Sequence, residues 1–440
     1  LYIFRNIKAS IKDEVSRSII NRSGKLIVLN LAGVVFLFFT NFFLIKLLGE
    51  SIYGHYVMVN VWLSFFTIIV IFGMDDLFIA VLPKKQNGYP IGIPAPMMLK
   101  WGIKLCFALL VTVVAVVTII LLNSSLNVWF KQYALYLLIF FGMLVGFTFL
   151  NAFFRGINLI LKGQFLEKIV RSAGVLLFIL IFNIFNWGLN FKTVLLFQAA
   201  ALFICIVTFL WEFNKRFNLS FEKYNYYDSS GKSNLQFLGI SLLNFLSTRL
   251  DILMLTMFST PEQVGYYNIA GRISDLLGYP SAALYLIIPT FLSKEWIANQ
   301  GKAITILKNI VLISGALVTM GIIILLFAGR QILHFFGTNF VNSYWAMIFL
   351  SIVNLLAVFS LPLNTIMMIS GKQKFSLLAL FAYVVFIVVL SLFMIPEFGA
   401  NGAALSMLCG AFFYLLVTSF LSLKLFSKGV FNRRKYNKEV

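Results

Sequence analysis

Charge is scarce in this 440-residue chain: 11% of residues are charged, where a water-soluble domain needs about a quarter to cover its surface. Acidic side chains are rarer still, 15 against 35 Lys and Arg. Histidine is nearly missing. His55 and His334 lie far apart, which argues against a metal centre, and no cofactor is expected. The three cysteines, Cys106, Cys205 and Cys409, sit inside apolar runs without a CxxC spacing. They read as small core hydrophobes and give no disulfide frame. A cleavable signal peptide is not expected either. The first 25 residues are polar and basic, and the apolar run after them is too long for a signal core.

What fills the chain is hydrophobic residues, 61% of the total. They come in repeated runs of about 20, the length that crosses ~30 Å of hydrocarbon as a helix. Backbone amides in lipid must bond within their own segment, and no strand-like alternation of a barrel is present. The fold class expected is an all-α polytopic membrane protein. About twelve transmembrane helices are expected in two six-helix halves, a parallel pseudo-twofold repeat around a central cleft. Spans are placed near 26–48, 55–82, 101–122, 132–154, 165–186 and 192–213, then 235–258, 266–291, 305–327, 341–369, 375–396 and 400–425. In domain terms, segment 1–25 precedes the N-terminal half, 26–213. A polar linker, 214–234, leads to the C-terminal half, 235–425, and a basic tail, 426–440.

The formal charge of +20 would suggest nucleic acid in a soluble protein. Here it has another origin, and no nucleic-acid partner is expected. Thirty of the 35 Lys and Arg fall on the N-terminal tail, the even-numbered connections and the C-terminal tail, counting Arg249 with the 6–7 connection. Four (Lys46, Lys131, Lys192 and Arg330) fall on the other side, and Arg272 lies inside span 8. That asymmetry places both termini in the cytoplasm. A wrong number of spans would have scrambled it. The connections on the outer side are short, which leaves no room for an external catalytic domain, so an enzyme is not expected.

An internal duplication is visible. Gly54-His55-Tyr56 at span 2 matches Gly265-Tyr266-Tyr267 at span 8, an offset of 211 residues. Lys162-Gly163-Gln164-Phe165 matches Gly371-Lys372-Gln373-Lys374-Phe375 at an offset of 210, counted between the phenylalanines. Six spans per unit is an even number, so the two halves share one orientation.

Polar groups at membrane depth need a partner, a wet cavity or a task, because a charge at mid-helix costs about 2.5–3.5 kcal/mol on insertion scales. Span 7 carries Ser241, Asn244, Thr248 and Asp251 on one face; span 8 carries Asn268, Arg272, Asp275 and Tyr279 on one face. Span 2 shows Asn60, Ser64, Thr67 and Asp75, span 1 shows Asn30 and Asn41, and span 10 shows Ser351, Asn354 and Thr365. Such stripes suit helices around a water-filled cleft. Arg272 and Asp275 can pair within their helix, a packing role, or Arg272 can face an anion from the cleft wall. Arg249 stands about 200° around the helix from Asp251, so one cavity cannot take both unless the helix is broken. Asp75 and Asp76, at the far end of span 2, also fit simple solvated capping. Glycine and proline (Gly271, Gly278, Pro280 and Pro289 in span 8, Pro362 in span 10) predict bent helices.

Three stretches together resemble a known family. They are Leu48-Gly49-Glu50-Ser51-Ile52-Tyr53-Gly54-His55-Tyr56; Asp251-Ile252-Leu253-Met254-Leu255 with Val264-Gly265-Tyr266-Tyr267 and Ala270; and Gly399-Ala400-Asn401-Gly402-Ala403-Ala404. The chain resembles the polysaccharide or O-antigen flippases, the Wzx-like branch of the multidrug/oligosaccharidyl-lipid/polysaccharide (MOP) exporter superfamily. The resemblance implies translocation of an undecaprenyl-pyrophosphate-linked oligosaccharide from the inner to the outer leaflet of the bacterial cytoplasmic membrane. It implies Arg272 and Arg249 as pyrophosphate contacts, suited to guanidinium's planar fork. Asn30, Asn41, Asn60, Asn244 and Asn354 would bond the sugars. Asp275, Asp251 and Asp75 are the carboxylates placed for ion coupling, with Asp275 first because it shares a face with Arg272. Partners implied are the lipid-linked substrate, the bilayer and a polysaccharide polymerase with its chain-length machinery. Lys168 and Arg171 either attract the head group or follow the charge bias. A MATE-type drug/cation antiporter is the alternative. Its members often carry a carboxylate in the first helix, where this chain has Asn30 and Asn41. Lipid II flippases usually have fourteen spans, two more than this sequence has room for.

Overall fold

In hydrocarbon a backbone satisfies its own amides most simply as helix, and helix is what forms. The computed structural model describes residues 14–81, 102–104, 106–112, 114, 128–157, 159–216, 231–298 and 300–427, and no strand occurs among them. In chain order the helices are α1 (Glu14–Leu48), α2 (Glu50–Ile71), α3 (Met74–Val81), α4 (Val128–Gly156) and α5 (Ile160–Phe165). A π-helical turn, Leu166–Val170, leads into α6 (Arg171–Ile184) and then α7 (Phe191–Arg216). There follow α8 (Gly231–Phe258), α9 (Pro261–Ala298), α10 (Gln300–Phe336), a 3-10 turn (Thr338–Ser343), α11 (Tyr344–Ile369) and α12 (Gln373–Ser427).

Each of the twelve expected spans falls mainly on helix where it is described; turns interrupt span 2 at 72–73 and end span 5 at 185–186, and span 3 is helical at 102–104 and 106–112. Among the described residues, eight helices are long and apolar enough to cross a membrane. Much of the expected linker (217–230), the first 13 residues and the last 13 lie outside the described residues. The chain divides into two compact units, Lys25–Phe245 and Leu246–Val440, the second taking in Leu1–Gly24. The division falls inside the continuous helix α8.

The N-terminal unit is held by aromatic packing. Phe153 and Phe154 of α4 are fully buried, and their rings meet Phe209 and Phe213 of α7 and Phe78 of α3. Aromatic pairs of this kind add about 0.5–1.5 kcal/mol beyond area burial. Backbones approach where side chains are small, as membrane bundles require. Gly33 of α1 lies on Lys168 in the π turn, where an added Cβ would stand 2.8 Å from the lysine Cβ.

Span 2 departs from the sequence expectation of one helix. Phe72 (φ 53°) and Gly73 (φ 70°) are both left-handed and split it into α2 and α3. Proline plays no part in this break. A Cβ on Gly73 would stand 2.4 Å from the Leu238 amide nitrogen and 2.8 Å from the Asn234 carbonyl oxygen, both on α8. The break therefore sits where the backbone of α8 lies against the glycine. Span 8, where proline-driven bends are expected, runs as one helix from Pro261 to Ala298.

In the C-terminal unit Val318, Ile322 and Val358 form a buried cluster covered by Leu277, Val311, Ile352 and Leu355. Gly321 is seated under Leu277 and Gly329 under Met347. Pro362 lies inside α11 and Pro396 inside α12. Spans 11 and 12 meet at Gly399, whose non-helical backbone (φ 53°, ψ −126°) turns the chain within α12. Outward faces are strongly apolar, with Phe327, Ile184, Phe393 and Leu423 among the most exposed side chains. Cys106 and Cys205 are buried, but Cys409 is exposed, which corrects its assignment to the core. It faces outward because the buried side of its turn of α12 is taken by Met407 and Ala411, each two residues and about 200° away.

Candidate functional site

Membrane-depth charges gather in the C-terminal unit, on the antiparallel hairpin of α8 and α9. The hairpin turns at Ser259 and Thr260, so residues at matching distances from the turn share a depth. Asp251, seven residues before the end of α8, lies level with Tyr267, six after the start of α9. The Tyr267 hydroxyl donates to Asp251 Oδ2, and the backbone N–H of Ile252 donates to Oδ1 at 2.8 Å. Both side chains are buried.

Continuing along α9 from Tyr267, steps of four reach Gly271, Asp275 and Tyr279, one stripe of the helix. Asp275 is exposed and Arg272 half-buried. The charges of Arg272 and Arg249 both act on Asp275, and both act on Tyr279. Arg249 also acts on Asp251. Arg249 and Asp251 are thus coupled by charge although helical geometry turns their Cβ atoms about 200° apart. Tyr383 of α12 adds a second ring beside this pair: Asp251 acts on it, and its hydroxyl points to Met407 Sδ at 3.9 Å.

Asn354 of α11 is brought to the same helix. Its Nδ2 donates to the Ser274 backbone carbonyl and to Ser274 Oγ, both at 3.1 Å. A Cβ on Gly278 would stand 2.8 Å from Asn354 Oδ1, so the glycine makes room for this amide. Asn354 thus pins α11 to α9 beside the charged stripe.

The remaining candidates sit in the N-terminal unit, apart from this cluster along the chain. Asn41 is buried and accepts from the Tyr53 hydroxyl at 3.2 Å. Asn60 donates back to the Tyr56 carbonyl of its own helix at 2.8 Å. Asn30 is half-buried on α1, and Asn244 is exposed on α8. Asp75 and Asp76 share the first turn of α3, where Ser241 Oγ lies 3.3 Å from Asp75 Oδ1 and 3.0 Å from Asp76 Oδ2. The Arg155 charge also acts on Asp75. Lys168 pairs with Glu167 at 2.8 Å inside the π turn, and Glu167 takes a further bond from Asn151 at 2.8 Å. Lys162 pairs with Glu212 at 2.7 Å.

Two side chains of this cluster lie outside the sequence candidates, Tyr267 and Tyr383. The first was visible as the tyrosine ending the repeated Gly-x-Tyr motif. Its counterpart in the first half, Tyr56, accepts from Gln198 Nε2 at 2.6 Å. Nothing in the sequence marks Tyr383. The Gly399–Gly402 stretch has a structural use: Asn401 Oδ1 accepts from the Ala346 amide at 2.9 Å, and Gln263 Oε1 accepts from the Ala400 amide at 3.1 Å.

No family model matches the sequence, and no curated protein is similar to it at a significant level. Solved structures are similar over nearly the whole chain. An inward-facing multidrug resistance MATE family transporter of the MOP superfamily superposes at TM-score 0.70 and 14% identity, covering 93% of this chain and 99% of that one. An outward-facing multidrug resistance MATE family transporter gives TM-score 0.64 and 13% identity, covering 95% and 97%. A MOP superfamily transporter from Pyrococcus furiosus, described as having a binding pocket of reverse polarity that suggests a different function, gives TM-score 0.67 and 13% identity over 94% and 96%. At these identities the likeness is one of fold. The chain has the all-helical architecture of MOP superfamily transporters.

Proposed function

We propose that this protein is a flippase that carries undecaprenyl-pyrophosphate-linked oligosaccharide repeat units across the bacterial cytoplasmic membrane by alternating access. The observation that carries the reading is the placement of Arg249 and Arg272, with Asp251 and Asp275, on the apolar α8–α9 hairpin, where both arginine charges act on Asp275. Two guanidinium groups at that depth are expensive to insert and call for an anionic task. A pyrophosphate offers the planar, multidentate acceptor that guanidinium fits. The MOP-type fold supports transport as the class of activity, and the resemblance of the three sequence stretches supports the polysaccharide branch. In this reading Asn30, Asn41, Asn60, Asn244 and Asn354 offer hydrogen bonds to the sugars, and Asp275, Asp251 and Asp75 serve ion coupling. Both termini are cytoplasmic, and the substrate passes on to a polymerase.

The second reading is a MATE-type drug/cation antiporter, favoured by the MATE transporters among the structural neighbours. Against it stand Asn30 and Asn41 in the first apolar span, where a coupling carboxylate would serve. Two arginines would also repel a cationic drug. Proteoliposomes separate the readings. Protein-dependent protection of a fluorescent undecaprenyl-pyrophosphate sugar from an external quencher supports the flippase. Accumulation of ethidium without any movement of the lipid supports the antiporter.

A further inference from the structure

The Asp251 carboxylate stands two residues from an arginine, in surroundings where a buried charge takes the nearest cation. Its oxygens are nonetheless both engaged by neutral donors, Oδ1 by the Ile252 amide and Oδ2 by the Tyr267 hydroxyl. We propose that Tyr267 is a positioning residue that holds Asp251 off Arg249 and so keeps that guanidinium available to an anion. The inference rests on reading the α8–α9 cluster as the anion site.

Besides the Ile252 amide, Asp251 is bonded by Tyr267 of α9 and interacts by charge with Asp275 of α9, Arg249 of α8 and Tyr383 of α12. Asp275 repels it. Tyr383 does not replace Tyr267, because its hydroxyl is turned to Met407. Tyr267 is therefore the side chain that fixes the carboxylate. With phenylalanine in its place, Oδ2 loses its donor, and Arg249 becomes the cation within reach. In the first half of the duplication the counterpart tyrosine, Tyr56, accepts from Gln198 Nε2 instead.

The test uses the full-length protein in lipid nanodiscs, with two readouts. The first is the rate at which phenylglyoxal modifies Arg249, followed by mass spectrometry. The second is binding of undecaprenyl pyrophosphate. Tyr267→Phe is expected to slow Arg249 modification about fivefold and to weaken binding about tenfold, as carboxylate pairing withdraws the guanidinium. Adding Asp251→Asn to Tyr267→Phe is expected to restore both, which a merely structural role of Tyr267 would not do. Unchanged Arg249 reactivity in Tyr267→Phe, or no restoration in the double variant, overturns the proposal. Should Tyr267→Phe not fold, Asp251→Asn alone decides. Arg249 reactivity within twofold of wild type supports the proposal, and a larger gain shows that Asp251 already shields Arg249 and overturns it. If the wild type binds no undecaprenyl pyrophosphate while the reactivity pattern holds, the substrate reading fails and the positioning role stands.

Discussion

Gly73 and Leu238 are in backbone contact: a Cβ on the glycine would stand 2.4 Å from the Leu238 nitrogen. The same glycine has φ 70° and ends the αL break that splits span 2. Two independent constraints thus meet at one residue. Gly73→Ala adds a left-handed penalty to a steric one, together about 2–4 kcal/mol. The expected outcome is a clear loss of stability in reversible SDS unfolding, while Gly142→Ala on α4, where an added Cβ meets no atom within 4 Å, is neutral.

Asn354 and Asn60 are both sugar candidates, yet their amides are used differently. Asn354 ties α11 to α9 through Ser274, whereas Asn60 bonds a carbonyl of its own helix. Inter-helical hydrogen bonds in membrane bundles average about 0.6 kcal/mol and reach ~1.7. Asn354→Ala is expected to lose stability in that range and Asn60→Ala to keep it, both read from unfolding curves. Reduced transport by Asn60→Ala at wild-type stability would then mark a substrate contact.

The hairpin at Gly399 depends on borrowed acceptors. Removing the Gln263 side chain strips the Ala400 amide of its partner, and removing Asn401 frees the Ala346 amide. Gln263→Ala and Asn401→Ala are each expected to cost about 1–2 kcal/mol. Hydrogen exchange at 399–402 should quicken in the first and at 344–347 in the second. Unchanged exchange would show that these bonds contribute nothing.

Orientation follows from the positive-inside distribution. Reporter fusions after Lys424 are expected to give a fluorescent, phosphatase-inactive product, and fusions in the short connection near Arg330 the reverse. The opposite pattern would invert the bundle.

Span number and helix class were legible in the sequence because apolar length and Lys/Arg alternation are one-dimensional signals. So was the α8–α9 cluster in outline: Asp251, Arg272 and Asp275 stand out as charges in apolar runs. Its wiring was not. Asp251 bonds Tyr267, and Tyr383 arrives from more than a hundred residues away, so no spacing rule connects them. The break at Phe72–Gly73 was hidden for a related reason. Its cause is the approach of α8, a tertiary event, whereas Pro280 and Pro289, which predict a bend, leave α9 one continuous helix. Long helices absorb proline when neighbouring elements satisfy the freed carbonyls.

The most direct test is made in cells. The gene is deleted in its native bacterium and complemented with wild type or Arg272→Ala at matched expression, and surface polysaccharide and lipid-linked repeat units are both measured. The account predicts loss of surface polymer on deletion, with intact repeat units accumulating on the cytoplasmic leaflet. Wild type should rescue, and Arg272→Ala should not. Unchanged surface glycan in the deletion strain, together with new sensitivity to cationic drugs, would contradict it.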